Sequence, residues 1–196
     1  MGSDTLFRAA LGDRWPELHP AVQGLHVGGP EVSFMGQATI ERGEGLVADL
    51  VCWAFGFPPT SKNIAVQVTK VRRQTHEQWS RRFGDHLFRS ICLPSDRQYH
   101  VRERVGLMTF EQELSLAKGG IQLIPRRGWC LGLPLPFALL PAVDAYEGID
   151  NGRFTFDIQL AMPTWLPVGD QLLVHYKGWL VPDDASSTSS LSPSSN

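Results

Sequence analysis

Repeated alternation of apolar and polar residues is the feature that most constrains this chain. This period of two is typical of half-buried β strands. It is clearest in NIAVQVTKV (63–71), in the two runs of HVRERVGLMTFEQELSL (100–116) and in RFTFDIQLAM (153–162). Strands are also predicted at 34–42, 121–124 and 171–181. Together with the hairpin described below, the pattern predicts about seven to nine strands joined largely by short turns, hence an antiparallel sheet.

Helical patterns occur only in the first third of the chain. SDTLFRAAL begins with a serine suited to an N-cap, and a second short helix is predicted around residues 16–25. GEGLVADLVCWAFGFPPT is the clearest helix, which Gly56 and the following prolines end. The order of strand, helix and long meander predicts an α+β fold, with a curved antiparallel sheet or partial β-barrel of helix-grip or lipocalin-like type. Such folds often enclose a ligand cavity.

The segment QWSRRFGDHLFRS (78–90) could form a helix or a hairpin. Gly84-Asp85 lies at its centre, where glycine weakens a helix but favours a two-residue turn. We therefore predict a hairpin in which Phe83 faces His86 and Arg81 faces Phe88. One face then carries Trp79, Arg81, Phe83, His86 and Phe88.

This hairpin places Arg81 on an aromatic face, and the next strand places Glu103 between Val101 and Val105 on an apolar face. Buried charges are usually paired, so Arg81 and Glu103 are predicted partners on neighbouring strands. Two interpretations remain open. The pair is either a structural ion pair that fixes strand register, or a polar anchor at the bottom of an apolar cavity.

The second interpretation gives a functional hypothesis, a domain that binds a hydrophobic small molecule such as a polyketide, terpenoid or lipid-like intermediate. If the domain is an enzyme, cofactor-free cyclase or isomerase chemistry is expected. Glu103 would then transfer a proton, and Arg81 would stabilise developing negative charge. The cavity would be lined by Trp79, Phe83, Phe88, Phe110, Phe154, Phe156 and Tyr176.

Composition argues against several other classes. Nine of the 18 Lys and Arg residues lie between Lys70 and Arg104, but the net charge is −2, so neither nucleic acid nor an anionic membrane is expected as a partner. The three cysteines form no CxxC pair and the six histidines show no ligand spacing, so no metal site is predicted. No dinucleotide-binding motif occurs, and no cofactor is expected.

Residues 1–181 are predicted to form a single domain, and the serine-rich residues 182–196 a disordered tail. No signal peptide is recognised, and the apolar run LGLPLPFALLP (131–141) is too short to span a bilayer, so a cytoplasmic protein without a membrane partner is expected. That run is predicted to pack inward over the core, or alternatively to form a lid or entrance over a cavity. Glu147, which follows it, is expected to be exposed.

Several segments carry a resemblance to a known family. The order LFRAALGDRWPELHPAVQGLH, GQATIERGEG, WSRRF, FRS, ERVG, LGLPLP, FTFDI and YKGWL resembles the bacterial domain of unknown function 4166 family over Leu6 to Leu180. Members of that family also occur fused behind saccharopine-dehydrogenase-like reductases. The resemblance thus implies a second hypothesis, a non-enzymatic accessory domain that docks on such a reductase or on a biosynthetic partner. It implies no catalytic residue, and the oligomeric state stays open.

Overall fold

A computed structural model describes residues 5–163 and 171–183. The helices in this part of the chain are α1 (Leu6–Leu11), α2 (Pro20–His26) and α3 (Leu46–Phe55), with 3-10 helices at Gly12–Glu17 and Phe137–Leu139. The strands are β1 (Glu31–Arg42), β2 (Ser61–Arg72), β3 (Glu77–Phe83), β4 (His86–Pro94), β5 (His100–Val105), β6 (Met108–Ala117), β7 (Gly120–Cys130), β8 (Leu133–Leu135), β9 (Ala142–Asp150), β10 (Arg153–Ala161) and β11 (Leu172–Pro182).

The strands form a closed antiparallel barrel. Strands β1 to β6 pair in sequence order, and β1 also pairs with β11, which continues through β10 to β9. The two halves are joined by β7, which pairs with β6 along its length and with β9 where Ile121 faces Glu147. Ten strands therefore close the barrel, and β8 pairs with the far end of β7. The predicted α+β barrel is confirmed, and closure leaves few exposed strand edges.

The hairpin at 77–94 has the predicted register. Phe83 pairs with His86, Arg81 with Phe88, and Trp79 with Ser90. Gly84 adopts a φ of +55°, a conformation that costs glycine little, and it thereby allows the tight turn. The residues that alternate inward along β3 are Glu77, Trp79, Arg81 and Phe83, which places two charged side chains inside the barrel.

Two strands, β8 and β9, were not predicted from the sequence. In β9 the inward positions are Val143, Ala145, Glu147 and Ile149, because these residues pair with the inward-facing residues of β10. A glutamate at an inward position breaks the apolar alternation by which strands are recognised. Glu147 was expected to be exposed, and this expectation is wrong, since Glu147 is buried.

The two ends of the barrel differ. At one end, the helix end, α1 and α2 cover the opening: the Tyr99 N–H donates to the Ala10 carbonyl at 3.1 Å, and the His19 N–H donates to the Gly119 carbonyl at 2.9 Å. The opposite end, the loop end, carries α3 and the β3–β4, β5–β6 and β7–β8 turns. Access to the interior from the helix end is therefore blocked by the chain itself.

The segment LGLPLPFALLP lies at the loop end and forms β8 and a 3-10 helix. Its large side chains Leu131, Leu133, Phe137 and Leu139 are exposed, and only Leu140 among its leucines is buried. The expectation that the segment packs inward over the core is therefore wrong for most of its length. Its place at the loop end agrees with the alternative, a segment bordering the opening.

Strand β11 runs to Pro182, and the Asp183 N–H donates to the Ser33 carbonyl at 2.9 Å. The rest of the predicted tail lies outside the described residues. Within the described ranges, no helix is both long enough and apolar enough to cross a membrane.

The N-terminal helices are part of the core. Six apolar side chains on α1, on α2 and on the segment that joins them are buried: Phe7, Leu11, Trp15, Leu18, Val22 and Leu25.

We predict that Leu11→Ala lowers the free energy of unfolding by about 2–5 kcal/mol, because a fully buried leucine leaves a cavity when truncated. Urea unfolding measures the change. The control is Leu107→Ala, the same substitution at an exposed leucine, for which a change within about 0.5 kcal/mol is expected. Equal effects at both positions would show that the helices do not close the barrel as described.

Candidate functional site

The barrel interior contains two groups of polar side chains. The central group consists of Arg81, Ser90, Glu103 and Gln112, which lie on β3 to β6. The sealed cluster consists of His26, Lys70, Glu77 and Glu147 and lies against the N-terminal helices. The Trp79 ring lies between the groups, with Lys70 Nζ 5.5 Å and the Arg81 guanidinium carbon 5.2 Å from its centre.

Arg81 and Glu103 meet inside the barrel. Arg81 Nη1 donates to Ser90 Oγ at 2.8 Å, and Arg81 Nη2 lies 3.5 Å from Glu103 Oε1. Gln112 Nε2 donates to Glu103 Oε2 at 3.4 Å. The pair does not join neighbouring strands, as the sequence suggested, because β4 lies between β3 and β5 and the two side chains reach past it.

The contact between Arg81 and Glu103 is loose and partly accessible. A separation of 3.5 Å is long for a charge-assisted hydrogen bond, which is usually 2.7–2.9 Å. The Arg81 side chain keeps 17% of its surface exposed and that of Glu103 keeps 20%. Both groups therefore retain capacity to bind a third polar group.

The guanidinium of Arg81 stays charged in this setting. It lies within 6 Å of two aromatic ring centres, those of Trp79 and Phe88, at 5.2 Å and 5.8 Å. Burial is the largest single influence and lowers the pKa of Arg81, but Glu103, with smaller contributions from Tyr176, Cys92 and Glu147, outweighs it, and the pKa is raised. The interior therefore presents a fixed positive charge beside aromatic faces.

The thiol of Cys92 and the hydroxyl of Tyr176, near this charge, stay protonated and uncharged. Cys92 faces Glu103 across the β4–β5 pair, and burial raises the pKa of its thiol well above the usual range. Burial also raises the pKa of Tyr176 to about 12, although Arg81 opposes the change. Neither group is activated as a nucleophile at neutral pH.

The sealed cluster binds the N-terminal helices to the barrel. His26 Nε2 lies 2.7 Å from Glu147 Oε2, and the His26 ring stacks on Phe7 with ring centres 3.9 Å apart. Lys70 Nζ donates to the Leu25 carbonyl at 3.0 Å, and burial lowers the pKa of Lys70 although Glu77 raises it. Glu77 accepts from the Leu6 N–H at 3.3 Å. Because two of these four contacts involve helix backbone, we assign this cluster a structural role.

Sequence reasoning did not single out His26, Lys70 or Glu77. A signal was present for two of them, because Lys70 continues the inward series of Val66 and Val68, and Glu77 precedes Trp79 by two residues. His26 carried no such signal, since its burial depends on packing of α2 against strands far away in the chain.

The aromatic residues proposed to line a cavity all occupy inward positions, but they do not all meet. A cavity of about 30 Å³ is bordered by five of them together with Arg81 and Glu147; the five are Trp79, Phe83, Phe154, Phe156 and Tyr176. Phe88 and Phe110 do not border it, and neither does Glu103. This volume accommodates about one water molecule.

The basic residues between Lys70 and Arg104 lie on both faces of the barrel wall, with Lys70 and Arg81 on the inner face. Arg102 and Arg97 lie on the outside and contact the buried Glu111, at 3.2 Å and 3.6 Å. Arg82, Arg89 and Arg104 are exposed on the same outer wall. Within the described ranges, no group of three or more His, Cys, Asp or Glu side chains could hold a metal ion.

The fold and its interior define a closed ten-stranded barrel with a helical cover at one end and a charged pair inside. A family model described as Domain of unknown function (DUF4166) matches residues 18–180. The chain belongs to this family. No curated protein and no solved structure matches it significantly. The matched region begins after α1, although Phe7 and Leu11 are core residues.

The three thiols give a test of the site's burial. Cys52 and Cys92 are buried with raised pKa values, whereas Cys130 is partly exposed. We predict that an aromatic disulfide reagent at pH 8 labels a single thiol rapidly in the native protein and all three in denaturant, because only accessible thiolates react. Cys130→Ser should abolish the rapid phase. Rapid labelling of Cys92 in that variant would contradict the closed interior.

Proposed function

We propose that the barrel binds a small molecule with an apolar body and an anionic or carbonyl group. The observation that supports this proposal is the loose, partly accessible contact between Arg81 and Glu103 within an aromatic interior. A guanidinium orients a carboxylate, sulfonate or carbonyl oxygen by hydrogen bonds, and aromatic walls stabilise the apolar part by burial. Polyketide, terpenoid and lipid-like intermediates have this chemistry.

Proton transfer would extend binding to catalysis. Glu103 Oε2 faces Gln112 Nε2 at 3.4 Å and Oε1 faces Arg81 Nη2 at 3.5 Å, and because both contacts are long the carboxyl group can turn toward a bound molecule. In a cofactor-free cyclase or isomerase, Glu103 would move a proton while Arg81 stabilised the negative charge on a carbonyl oxygen. Both groups act on the same bound molecule in this proposal.

A ligand of this kind needs more room than the 30 Å³ cavity provides, since ligand sites usually measure about 300 Å³ or more. The side chain best placed to yield is Phe57, at the loop end, whose ring is stacked on Phe88 with centres 5.6 Å apart. The backbone of its segment is fixed, since the Phe57 N–H donates to the Cys52 carbonyl at 2.9 Å and Arg42 Nε donates to the Pro58 carbonyl at 2.8 Å, so movement would be confined to the Phe57 ring. We therefore propose that ligand binding displaces Phe57.

The small volume favours a second candidate, the accessory domain predicted from the family resemblance. A barrel whose interior is filled by Trp79 and Phe156 can serve as a rigid scaffold that docks on a reductase or a biosynthetic partner. In that case Arg81 and Glu103 form a structural pair, and the two candidates differ in whether the interior takes up a ligand.

Anilinonaphthalene sulfonate is a suitable probe, because it joins an apolar ring system to one anionic group. We predict that Arg81→Met weakens its binding by about 10- to 100-fold, the loss expected for one charge-assisted hydrogen bond. Glu103→Gln should preserve binding, because it removes a competing negative charge. The measurement is a fluorescence titration, with native mass spectrometry of the purified protein to detect a bound small molecule.

The matched control is Arg82→Met, which removes the neighbouring arginine from the outer face of the same strand. Urea unfolding of each variant separates loss of binding from loss of stability. Equal probe affinity in wild type, Arg81→Met and Arg82→Met would show that the probe does not occupy the interior. This result, or an Arg81→Met loss that merely follows reduced stability, would favour the docking role.

A further inference from the structure

Exposed large apolar side chains concentrate at the loop end of the barrel. Ten such side chains are exposed among the described residues, and nine of them lie at this end. The tenth, Met35, points outward from the wall on β1. We name the nine the apolar rim: Leu46, Val47, Leu50, Trp53, Leu107, Leu131, Leu133, Phe137 and Leu139.

Helix α3 contributes the largest part of the apolar rim. Its buried side, with Ala48 and Cys52, faces the barrel, and Cys52 Sγ donates to the Leu173 carbonyl at 3.2 Å. Its other side exposes Leu46 to 88% and Trp53 to 78%. Only Asp49 is charged within this helix. A helix that is apolar on its solvent side is expected to have a binding partner there.

The remaining rim residues lie on separate projections. Leu107 lies in the β5–β6 turn and Leu131 in the β7–β8 turn, and the two turns are joined by a hydrogen bond of 2.9 Å from the Leu131 N–H to the Leu107 carbonyl. Phe137 and Leu139 lie on the following 3-10 helix. Single apolar side chains on several separate projections can insert into a lipid layer, which deforms around them. They are less able to match the fixed surface of a rigid protein partner.

Basic side chains lie just behind part of the rim. Lys62, Arg82 and Arg104 are exposed within two residues of the loop-end termini of β2, β3 and β5, with Arg89 further along β4. None of the four forms an ion pair with any described residue. Among the described residues, the exposed acids near this end are Glu41, Glu44 and Asp49 on the α3 side, Asp85 in the β3–β4 turn and Asp144 near the start of β9. The β2–β5 side is therefore the cationic side.

We propose that the apolar rim docks the barrel, loop end first, onto a lipid bilayer that contains anionic lipids. The rim side chains insert between the lipid head groups, where tryptophan is favoured, and the cationic side meets the phosphates. The proposal rests on the proposed function, because docking in this way would place the interior in contact with the phase from which an apolar ligand is taken.

This proposal replaces the expectation that the chain has no membrane partner. That expectation rested on the lack of a spanning segment and of a net positive charge. Peripheral docking requires neither, because the apolar groups and the cations need only be grouped on one surface. Their grouping results from the fold, since the rim residues come from distant parts of the chain.

Co-sedimentation with lipid vesicles tests the proposal. The probes are phosphatidylcholine vesicles with and without about one third phosphatidylglycerol. Wild type should bind both, and more strongly the anionic ones. The double variant Leu50→Glu/Trp53→Glu should lose binding to both by about tenfold or more, because charged groups resist insertion. Arg82→Glu/Arg104→Glu should lose only the preference for anionic vesicles.

The matched control is Met35→Glu, which charges an apolar residue of 47% exposure away from the rim, and it should bind vesicles as wild type does. Arg81→Met should also keep vesicle binding, so that failure of the interior site and failure of docking are distinguished. Absence of vesicle binding by wild type overturns the proposal. So does a concentration-dependent dimer, seen by sedimentation velocity, that Leu50→Glu/Trp53→Glu dissociates, because the rim would then pair two copies.

Discussion

The buried polar contacts at the helix end are the constraint on which the rest of the structure depends. An antiparallel barrel has two openings, and in this chain one is filled by α1 and α2. Apolar packing alone would leave these short helices free to choose among several positions. The lysine that binds the Leu25 carbonyl and the glutamate that binds the Leu6 N–H fix one position, because an unpaired charge there would be costly. The interior is therefore closed at the helix end by the chain itself.

The two polar groups inside the barrel resemble each other in composition but differ in geometry. In the sealed cluster the shortest contact is 2.7 Å, and three of the four side chains are bonded directly to the N-terminal segment. In the central group the charges are 3.5 Å apart and about a fifth of each side chain is accessible. A purely structural pair gains most from close contact and full burial. The difference between the two groups is the physical reason for assigning function to one and structure to the other.

Much of this architecture was predictable from the sequence, because local patterns decide hairpins. Gly84 at the turn and alternation on both sides fixed the register that brings Arg81 inward. Strand β9 was missed because Glu147 stands where an apolar residue is expected. The orientation of LGLPLPFALLP was also missed, since a run of leucines and prolines does not indicate whether it faces the core or solvent. Long-range packing decides that, and one sequence read alone does not contain it.

The position of the family boundary has a consequence for the shape of the molecule. The region shared with the family begins at Leu18, so the stacking of Phe7 on His26 and the bond from the Leu6 N–H to Glu77 depend on residues before it. A polypeptide limited to the shared region would lose the first helix and half of the cover. Because α2 lies within the shared region, the helix end would be half uncovered, and solvent could reach Glu77 from that end.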